Sequence, residues 1–509
     1  MALSPGELHS SGSRISASAL AAELEQLRHE LAGCDPPRVR WQGPMRPDAD
    51  HEASVTNLGH YLALRRHDLR ATQDILSELG MSSLGRCEGH VYSSVWAVSR
   101  ALAALCGDAA DGPRPTPHEL GAPTVLSSGE ILARRSTEVL GPEPVGHDTR
   151  LMVTLPLDAA KDPTIIDRVA RAGVGLLRIN TGHGELGDWT AMIQTARETS
   201  DRLGVELRVA LDLTGPKVRT GEQPSVRLRI GDEVRLVARR GQIGDASTTA
   251  LFTCSQPEAL VTCVPGHRVI FDDGKLAGEV TSVEPDDVRV RITYAPPSGA
   301  KLRGRKGINL PDSDPRLAPM TRGDVEALEK LAPAVDLVSL SFVRRPKDLL
   351  EVRAKLAELH RPDLPIIVKI ETAQGFRSLP QILVAGLGSG ALGVMVARGD
   401  LAVEVGYERL AEVQEEILWL CEAAHVPTIW ATQVLDGLAK TGRPSRAEIS
   451  DAAMASRAEA AMLNKGRFQI DAVRTLDEIL RRMSRHQHKK RSLMPRLAAW
   501  DRVLDTPVD

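Results

Sequence analysis

Short apolar runs in this chain repeatedly end in polar, chemically capable clusters, and the clusters recur at the length of one strand plus one helix. Residues 176–177 lead into Arg178-Ile179-Asn180, and 209–211 lead into Asp212. Residues 366–370 run through Lys369 into Glu371, 393–396 lead to Ala397-Arg398-Gly399-Asp400, and 428–431 lead to Thr432-Gln433. Asp212 follows Asn180 by 32 residues, Asp400 follows Glu371 by 29, and Thr432 follows Asp400 by 32. That spacing holds one strand, one helix and two short loops. Polar groups at the carboxyl ends of successive parallel strands are where a (β/α)8 barrel builds its active site.

The expected strands cover 151–155, 176–179, 207–211, 335–340, 365–370, 392–396, 427–431 and 460–463. Eight of them, with amphipathic segments between, match a (β/α)8 TIM barrel. A doubly wound open sheet is the alternative, but it gathers ligands at one switch point instead of at many strand ends. Residues 221–305 break the rhythm. There, apolar and polar residues alternate at 225–230, 233–237, 267–271, 279–283 and 287–293, with turns such as Gly231-Asp232 and Asp272-Asp273-Gly274 between them. This predicts an inserted small all-β domain, a lid over the active face.

Residues 1–148 predict a helical domain. Leu20, Leu24, Leu27 and Leu31 form one stripe, Val55, Leu58, Leu62 and Leu69 a second, and Val91, Val95, Val98 and Leu102 a third. Pro36-Pro37 and the Gly- and Pro-rich stretch 112–123 punctuate them. His60, His67 and His90 read as surface or packing residues. The apolar stripes need a partner, either the barrel or another subunit, so a homo-oligomer stays open. The expected order is a helical domain (1–148), the barrel in two parts (149–220 and 306–483) around the β domain (221–305), and a basic tail (484–509).

A net charge of −3 gives no general case for nucleic-acid or membrane binding. The basic run 486–491 reads as a solvated helix end. No run approaches the roughly 18 apolar residues of a membrane span, and the N-terminus lacks a signal-peptide pattern. Six cysteines without a C-x-x-C pair suit a reducing cytoplasm, with Cys254 and Cys263 as buried thiols of the β domain. Residues 388–393 fit G-x-G-x-x-G but precede a strand, the reverse of the dinucleotide fingerprint.

If the fifth and sixth strands are neighbours, Glu371 and Asp400 can share one hard divalent cation, with waters and a phosphate oxygen completing its shell. Lys369, two residues before Glu371, faces the same way and can neutralise charge on a moving phosphoryl group. Arg178 and Arg219 are fixed cations suited to phosphate oxygens. Thr432 brings a hydroxyl that can relay a proton through water. Separately, each could be a barrel-interior ion pair; together, at matched strand ends, they point to a site.

The ordered motifs resemble those of the pyruvate kinase family across about residues 150–470. Arg178-Ile179-Asn180 with Gly182-His183-Gly184 is similar to R-x-N-x-S-H-G, and residues 212–221 to D-x-x-G-P-x-I-R-T-G. Lys306-Gly307-Ile308-Asn309-Leu310-Pro311, Ser341-Phe342-Val343-Arg344, Lys369-Ile370-Glu371, residues 395–401, residues 431–436 and residues 443–448 follow in the family's order. The resemblance implies Mg²⁺-dependent (Mn²⁺ as an option) phosphoryl transfer from phosphoenolpyruvate to ADP, as in glycolysis. It implies Lys369, Thr432 and Arg178 as catalytic residues and Glu371 and Asp400 as metal ligands. Arg219, Lys306 and His183 would lie near the nucleotide, Asn180 and Asp212 at a monovalent-cation site, and Ser341 in the same substrate-binding group.

The departures are specific. Gly182 stands where the family has Ser, and Met462-Leu463-Asn464-Lys465-Gly466 replaces M-L-S-G-E-T. No counterpart of the family's C-terminal domain is expected after residue 483, and with it no familiar sugar-phosphate effector pocket. Lys217 replaces the Glu of G-P-E-I-R, and Leu213-Thr214 replaces Thr-Lys, which resembles the family's potassium-independent branch. Lys217 is therefore the expected substitute for the monovalent cation, and K⁺ should not be required. Two other functions remain open: a sensor that binds phosphoenolpyruvate or nucleotide, and a Mg²⁺ barrel enzyme acting on another enol phosphate or 2-oxo acid.

Overall fold

The computed structural model describes residues 7–9, 14–34, 50–107, 115–238, 250–489 and 491–492. Its centre is a closed barrel of eight parallel strands: β1 (Arg150–Thr154), β2 (Leu176–Asn180), β3 (Arg208–Leu213), β4 (Leu337–Leu340), β5 (Ile366–Ile370), β6 (Leu392–Ala397), β7 (Thr428–Val434) and β8 (Ala460–Leu463). Each strand pairs with its sequence neighbour among the eight, and β8 closes on β1. Both faces of such strands are covered, so they are continuous apolar runs; β4, β5 and β6 are buried at every residue. The open-sheet alternative is excluded by this closure.

The amino end of the barrel is plugged. Helix α5 (Val125–Leu140), which follows α1 (Ala17–Ala32), α2 (His51–Leu64), α3 (Arg70–Glu78) and α4 (Val91–Cys106), delivers Val139 and Leu140 into one buried cluster with Met152, Leu176, Ile367 and Ile429. Its start is fixed by Thr124, whose side chain accepts the Ser127 N–H in a reciprocal capping box. The first stripe forms α1, with Leu20, Leu24, Leu27 and Leu31 all buried. The second departs from expectation at Leu69, which sits just before α3 because α2 ends at Leu64 and the chain turns through His67 and Asp68. The third forms α4. The stripes of α1 and α4 pack against each other, and α2 joins them to the barrel's outer helices, Leu379–Leu387 and Tyr407–Ala423.

Asn57 is fully buried at that contact and donates to the carbonyls of Glu88 (2.7 Å) and Ala423 (2.8 Å) while accepting the Val91 N–H (2.9 Å). His425, also fully buried, lies between Ser54 Oγ (3.0 Å) and the Gly89 carbonyl (2.8 Å). His60 and His90 are buried in packing, and His67 pairs with Glu30 at 3.1 Å.

Between β3 and β4 lies the inserted β domain, with its own core around Phe252, Val269, Phe271 and Val290. Its six-stranded sheet is ordered Ile308–Asn309, Arg268–Phe271, Leu276–Glu284, Asp287–Tyr294, Glu233–Val237, Ala250–Thr253, with a separate pair of Val226–Leu228 and Ala300–Leu302. Cys254 and Cys263 are free, buried thiols there, and burial raises the pKa of both.

One expectation is overturned. The run 486–491 is not a solvated helix end: Gln487–His488 and Arg491–Ser492 form a two-stranded hairpin, and the half-buried Lys489 is the partner of Glu459. Glu459 also accepts the Thr428 N–H at 2.7 Å, which draws the hairpin onto the barrel base. Pro36-Pro37, residues 112–114 and residues 493–509 lie outside the described residues.

Candidate active site

The carboxyl ends of β2 to β5 bring the charges together because their registers are aligned: Asn180 pairs with Asp212, and Ser339 pairs with Asp212 from the other side. Asp212, almost fully buried, accepts from the Arg178 Nε and lies 3.2 Å from the Lys369 ammonium. Lys369 also donates to Ser341 Oγ at 2.7 Å and lies 3.3 Å from Glu371 Oε1. Arg178 is held on a second side by Thr154 Oγ1 (2.8 Å), so its Nη2 group has no hydrogen-bond partner among the described residues.

The electrostatics follow from burial and neighbours. Burial pushes the Asp212 carboxyl up, but the Arg178 and Lys369 charges outweigh it and hold the group below the usual carboxylate range. Burial likewise works against the charged Lys369, and Asp212 and Glu371 overcome it and raise the ammonium's pKa. Glu371 moves the other way: burial raises it, and the nearby Asp400 charge adds to that against the opposing Lys369. A buried carboxylate destabilised by a second one is a site that a cation relieves.

Two loops set the geometry. Residues 214–215 are gripped by Asp324, whose oxygens accept the N–H groups of Thr214 (2.7 Å) and Gly215 (3.1 Å). Gly215 has φ +66°, and a Cβ there would sit 2.8 Å from the Ser341 carbonyl, so only glycine fits. At the end of β7, Thr432 and Gln433 have φ +65° and +59°, backbone that costs energy for such residues. Arg398 holds the strained segment: it donates to the carbonyls of Ala431 (2.9 Å) and Thr432 (2.6 Å), pairs with Asp451, and stacks 4.5 Å from the Trp430 ring centroid. Thr432 Oγ1 in turn accepts the Gly399 N–H at 2.8 Å.

A cavity of about 270 Å³ is lined by Arg178, Asn180, His183, Asn464 and Lys465. His183 is held below its ordinary pKa by burial and by the charges of Lys465, Arg178 and Arg219, so three cations converge on its neighbourhood. A second cleft, about 520 Å³, is lined by Lys217, Asp273, Asp400, Tyr407 and Thr432.

The site residues named from the sequence thus fall into groups. Arg178, Asp212, Ser341, Lys369 and Glu371 meet in one network. Asn180 accepts the Gly182 N–H at 2.9 Å and stands at its edge. Lys306 is turned away onto Asp272 of the β domain (2.8 Å), and Arg219 donates to the Arg305 carbonyl (3.3 Å). Lys217 makes no hydrogen bond or ion pair with Asn180 or Asp212; its ammonium lies on Asp400, 2.7 and 2.9 Å from the two carboxylate oxygens. Sequence reasoning passed over Thr154, Asp324, Asp451 and the Phe342 N–H, which donates to Glu371 Oε2 at 2.8 Å. Of these only Asp324 left a trace, as the last residue of a Thr321-x-x-Asp324 cap. Among the described residues no group of three or more His, Cys, Asp or Glu side chains converges on a metal position. No helix among them is long and apolar enough to cross a membrane.

A closed parallel barrel that gathers a buried lysine, an arginine and carboxylates at its carboxyl end, beside an inserted β domain, defines a protein of the (β/α)8 class. Residues 144–473 match the family model described as pyruvate kinase, barrel domain. Pyruvate kinase of Bacillus licheniformis is 33% identical over 340 residues, which is 65% of this chain and 56% of that protein. Those of Geobacillus stearothermophilus and Mycobacterium tuberculosis are 30% and 34% identical over 339 and 333 residues, covering 56% and 67% of their lengths. The chain belongs to the pyruvate kinase family. It spans a little over half the length of the first of these curated relatives.

Proposed function

We propose that the protein transfers a phosphoryl group from phosphoenolpyruvate to ADP, giving pyruvate and ATP. The observation that carries this reading is the buried Lys369 ammonium, held by Asp212, Ser341 and Glu371 at the centre of the barrel mouth. Phosphoryl transfer needs positioning and neutralised charge more than covalent chemistry from the protein, and that network supplies both. A terminal oxygen of ADP attacks phosphorus as the bond to the enol oxygen breaks. Lys369 neutralises charge on the moving group and on the enolate left behind. Arg178, with Nη2 unengaged, binds the phosphate. Thr432 assists delivery of a proton to the enolate methylene carbon through water. Arg219, Lys306 and His183 serve the nucleotide phosphates, and Asn180 and Asp212 line the phosphate side of the pocket.

Glu371 and Asp400 fit a Mg²⁺ (or Mn²⁺) ion: both are hard oxygen donors, and the mutual repulsion at Glu371 is what a divalent cation removes. When bound, the ion would supply positive charge to offset that of the phosphate oxygens. Lys217 adds a positive charge on the same face in place of a monovalent cation, and activity without potassium is the expected consequence.

A coupled assay of the purified chain with phosphoenolpyruvate, ADP and Mg²⁺ tests the reading directly. Pyruvate formation is expected, with a rate that changes little when KCl replaces a bulky organic cation at constant ionic strength. Binding of phosphoenolpyruvate without pyruvate formation would favour a sensor instead, and tenfold activation by potassium would remove the role of Lys217.

A further inference from the structure

Lys217 stands between two parts of the molecule. It lies on the segment that leaves β3 for the β domain, and its Cε is 3.1 Å from where a Cβ on Gly307 would sit, on the segment that returns. From there the ammonium reaches across to the barrel and gives hydrogen bonds to both oxygens of Asp400, on helix Arg398–Val405. The Phe342 ring centroid lies 5.5 Å from the same nitrogen. One turn along that helix, the buried Glu404 accepts a hydrogen bond from Asn309 of the returning segment at 3.0 Å. Both legs of the β domain are therefore tied to one face of one short helix, the outgoing leg by Lys217–Asp400 and the returning leg by Asn309–Glu404.

An ammonium lying on both oxygens of Asp400 crowds the approach of a divalent cation to that carboxylate, and the two positive charges repel. A lysine stem is long and flexible, and an aromatic face is a resting place for a displaced ammonium. We propose that Lys217 is a displaceable counter-ion of Asp400: a divalent cation and Lys217 exchange at this carboxylate, and the exchange releases one of the two tethers of the β domain. Metal occupancy and the position of the β domain are then coupled, and each changes the other by the same factor. This inference rests on the assignment of Asp400 as a metal-binding residue and adds what this chain's own lysine does there.

The test uses Mn²⁺ alone as the probe, without substrate. Mn²⁺ affinity is measured by electron paramagnetic resonance for the wild type, Lys217→Met and Lys217→Arg, and hydrogen exchange is followed in residues 216–221 and 305–310. Lys217→Met is expected to bind Mn²⁺ at least about fivefold tighter, the low end of usual coupling strengths, while Lys217→Arg stays close to the wild type. Exchange in the two legs should rise with Mn²⁺ in the wild type and be high and Mn²⁺-insensitive in Lys217→Met. Circular dichroism checks the fold, and Lys217→Gln replaces Lys217→Met if that variant does not fold. Equal or weaker affinity in the neutral variants overturns the exchange while leaving the metal assignment standing. Absence of Mn²⁺ binding in every variant overturns both.

Discussion

The two ends of the barrel are built from the same eight strands and solve opposite problems. At the amino end, Val139 and Leu140 fill the mouth with hydrocarbon, and buried polar groups such as Asn57 and His425 have their hydrogen bonds closed within the protein. At the carboxyl end, Lys369, Glu371, Asp212 and Arg178 are buried together, and Phe342, Thr432, Gln433 and Leu435 all take left-handed backbone. Burial there works against the charged forms of Asp212, Lys369 and Glu371 alike. Such an arrangement persists only where the surrounding structure holds it, and at this end Arg398 with Asp451 holds the strained Thr432 segment while Asp324 grips the 214–215 loop.

The largest effect that would separate the two ends is on catalysis. Lys369→Met should lower turnover by at least about 10³-fold, the scale seen when a transition-state charge stabiliser is lost. Binding of phosphoenolpyruvate should fall much less, because the ammonium matters most once charge moves. Steady-state kinetics and equilibrium binding on the same preparation check this. A loss below tenfold would mean that the carboxyl end does not work as proposed.

The amino end should answer to stability instead. Asn57→Ala leaves two backbone carbonyls and one N–H without their partner in a buried contact, each costing about 1–3 kcal/mol. A loss of roughly 4 kcal/mol in urea unfolding is expected, with turnover of the remaining folded protein within about twofold of wild type. A catalytic defect without a stability defect would break the division between the ends.

Acid should open the amino end first. Burial lowers the His60 pKa from 6.5 to about 4. Above pH 6.5 the ring is neutral in both folded and unfolded chains, and His60 contributes no pH dependence. As pH falls from 6.5 towards 4, the unfolded chain takes up the proton and the folded one does not, so stability drops by about 3 kcal/mol over that window. Asp212, depressed below its ordinary value, keeps its contribution through the same range and loses it only at lower pH. Denaturant unfolding at pH 7 and pH 4.5 should show the drop, and His60→Leu should flatten it.

The asymmetry between the ends also explains what the sequence disclosed. Barrel strands buried on both faces are apolar runs, and polar residues at their carboxyl ends interrupt those runs, so Lys369, Glu371 and Asp212 stand out in a linear reading. The Leu20–Leu24–Leu27–Leu31 stripe was equally plain because one face of α1 is buried. Helix α5 was missed since its plug depends on two residues at its end, and nothing in its composition marks a partner inside a barrel. The contact of Lys217 with Asp400 was out of reach for a different reason: they are 183 residues apart, joined only by how the β domain's legs cross the barrel rim. The pairing of Lys489 with Glu459 is likewise something that a run of basic residues does not announce.

The smallest expected effect tests how tightly the carboxyl end is tuned. Arg178 is fixed from two directions, by Asp212 at Nε and by the Thr154 hydroxyl at Nη1. Thr154→Val keeps the shape of the side chain and removes one hydrogen bond to a charged group, worth about 1.5–3 kcal/mol when both partners are buried. The pair with Asp212 remains, so the guanidinium keeps its charge and half of its orientation. Stability should fall by about 1.5 kcal/mol. The apparent affinity for phosphoenolpyruvate should weaken several-fold, because a guanidinium free to rotate meets the phosphate in its productive pose less often. Turnover at saturation should change less than affinity, since Arg178 is engaged once substrate is bound. A turnover loss as deep as that of Lys369→Met would show that the threonine takes part in more than positioning. No change in either quantity would show that Asp212 alone sets the arginine, and that the carboxyl end is less interdependent than its packing implies.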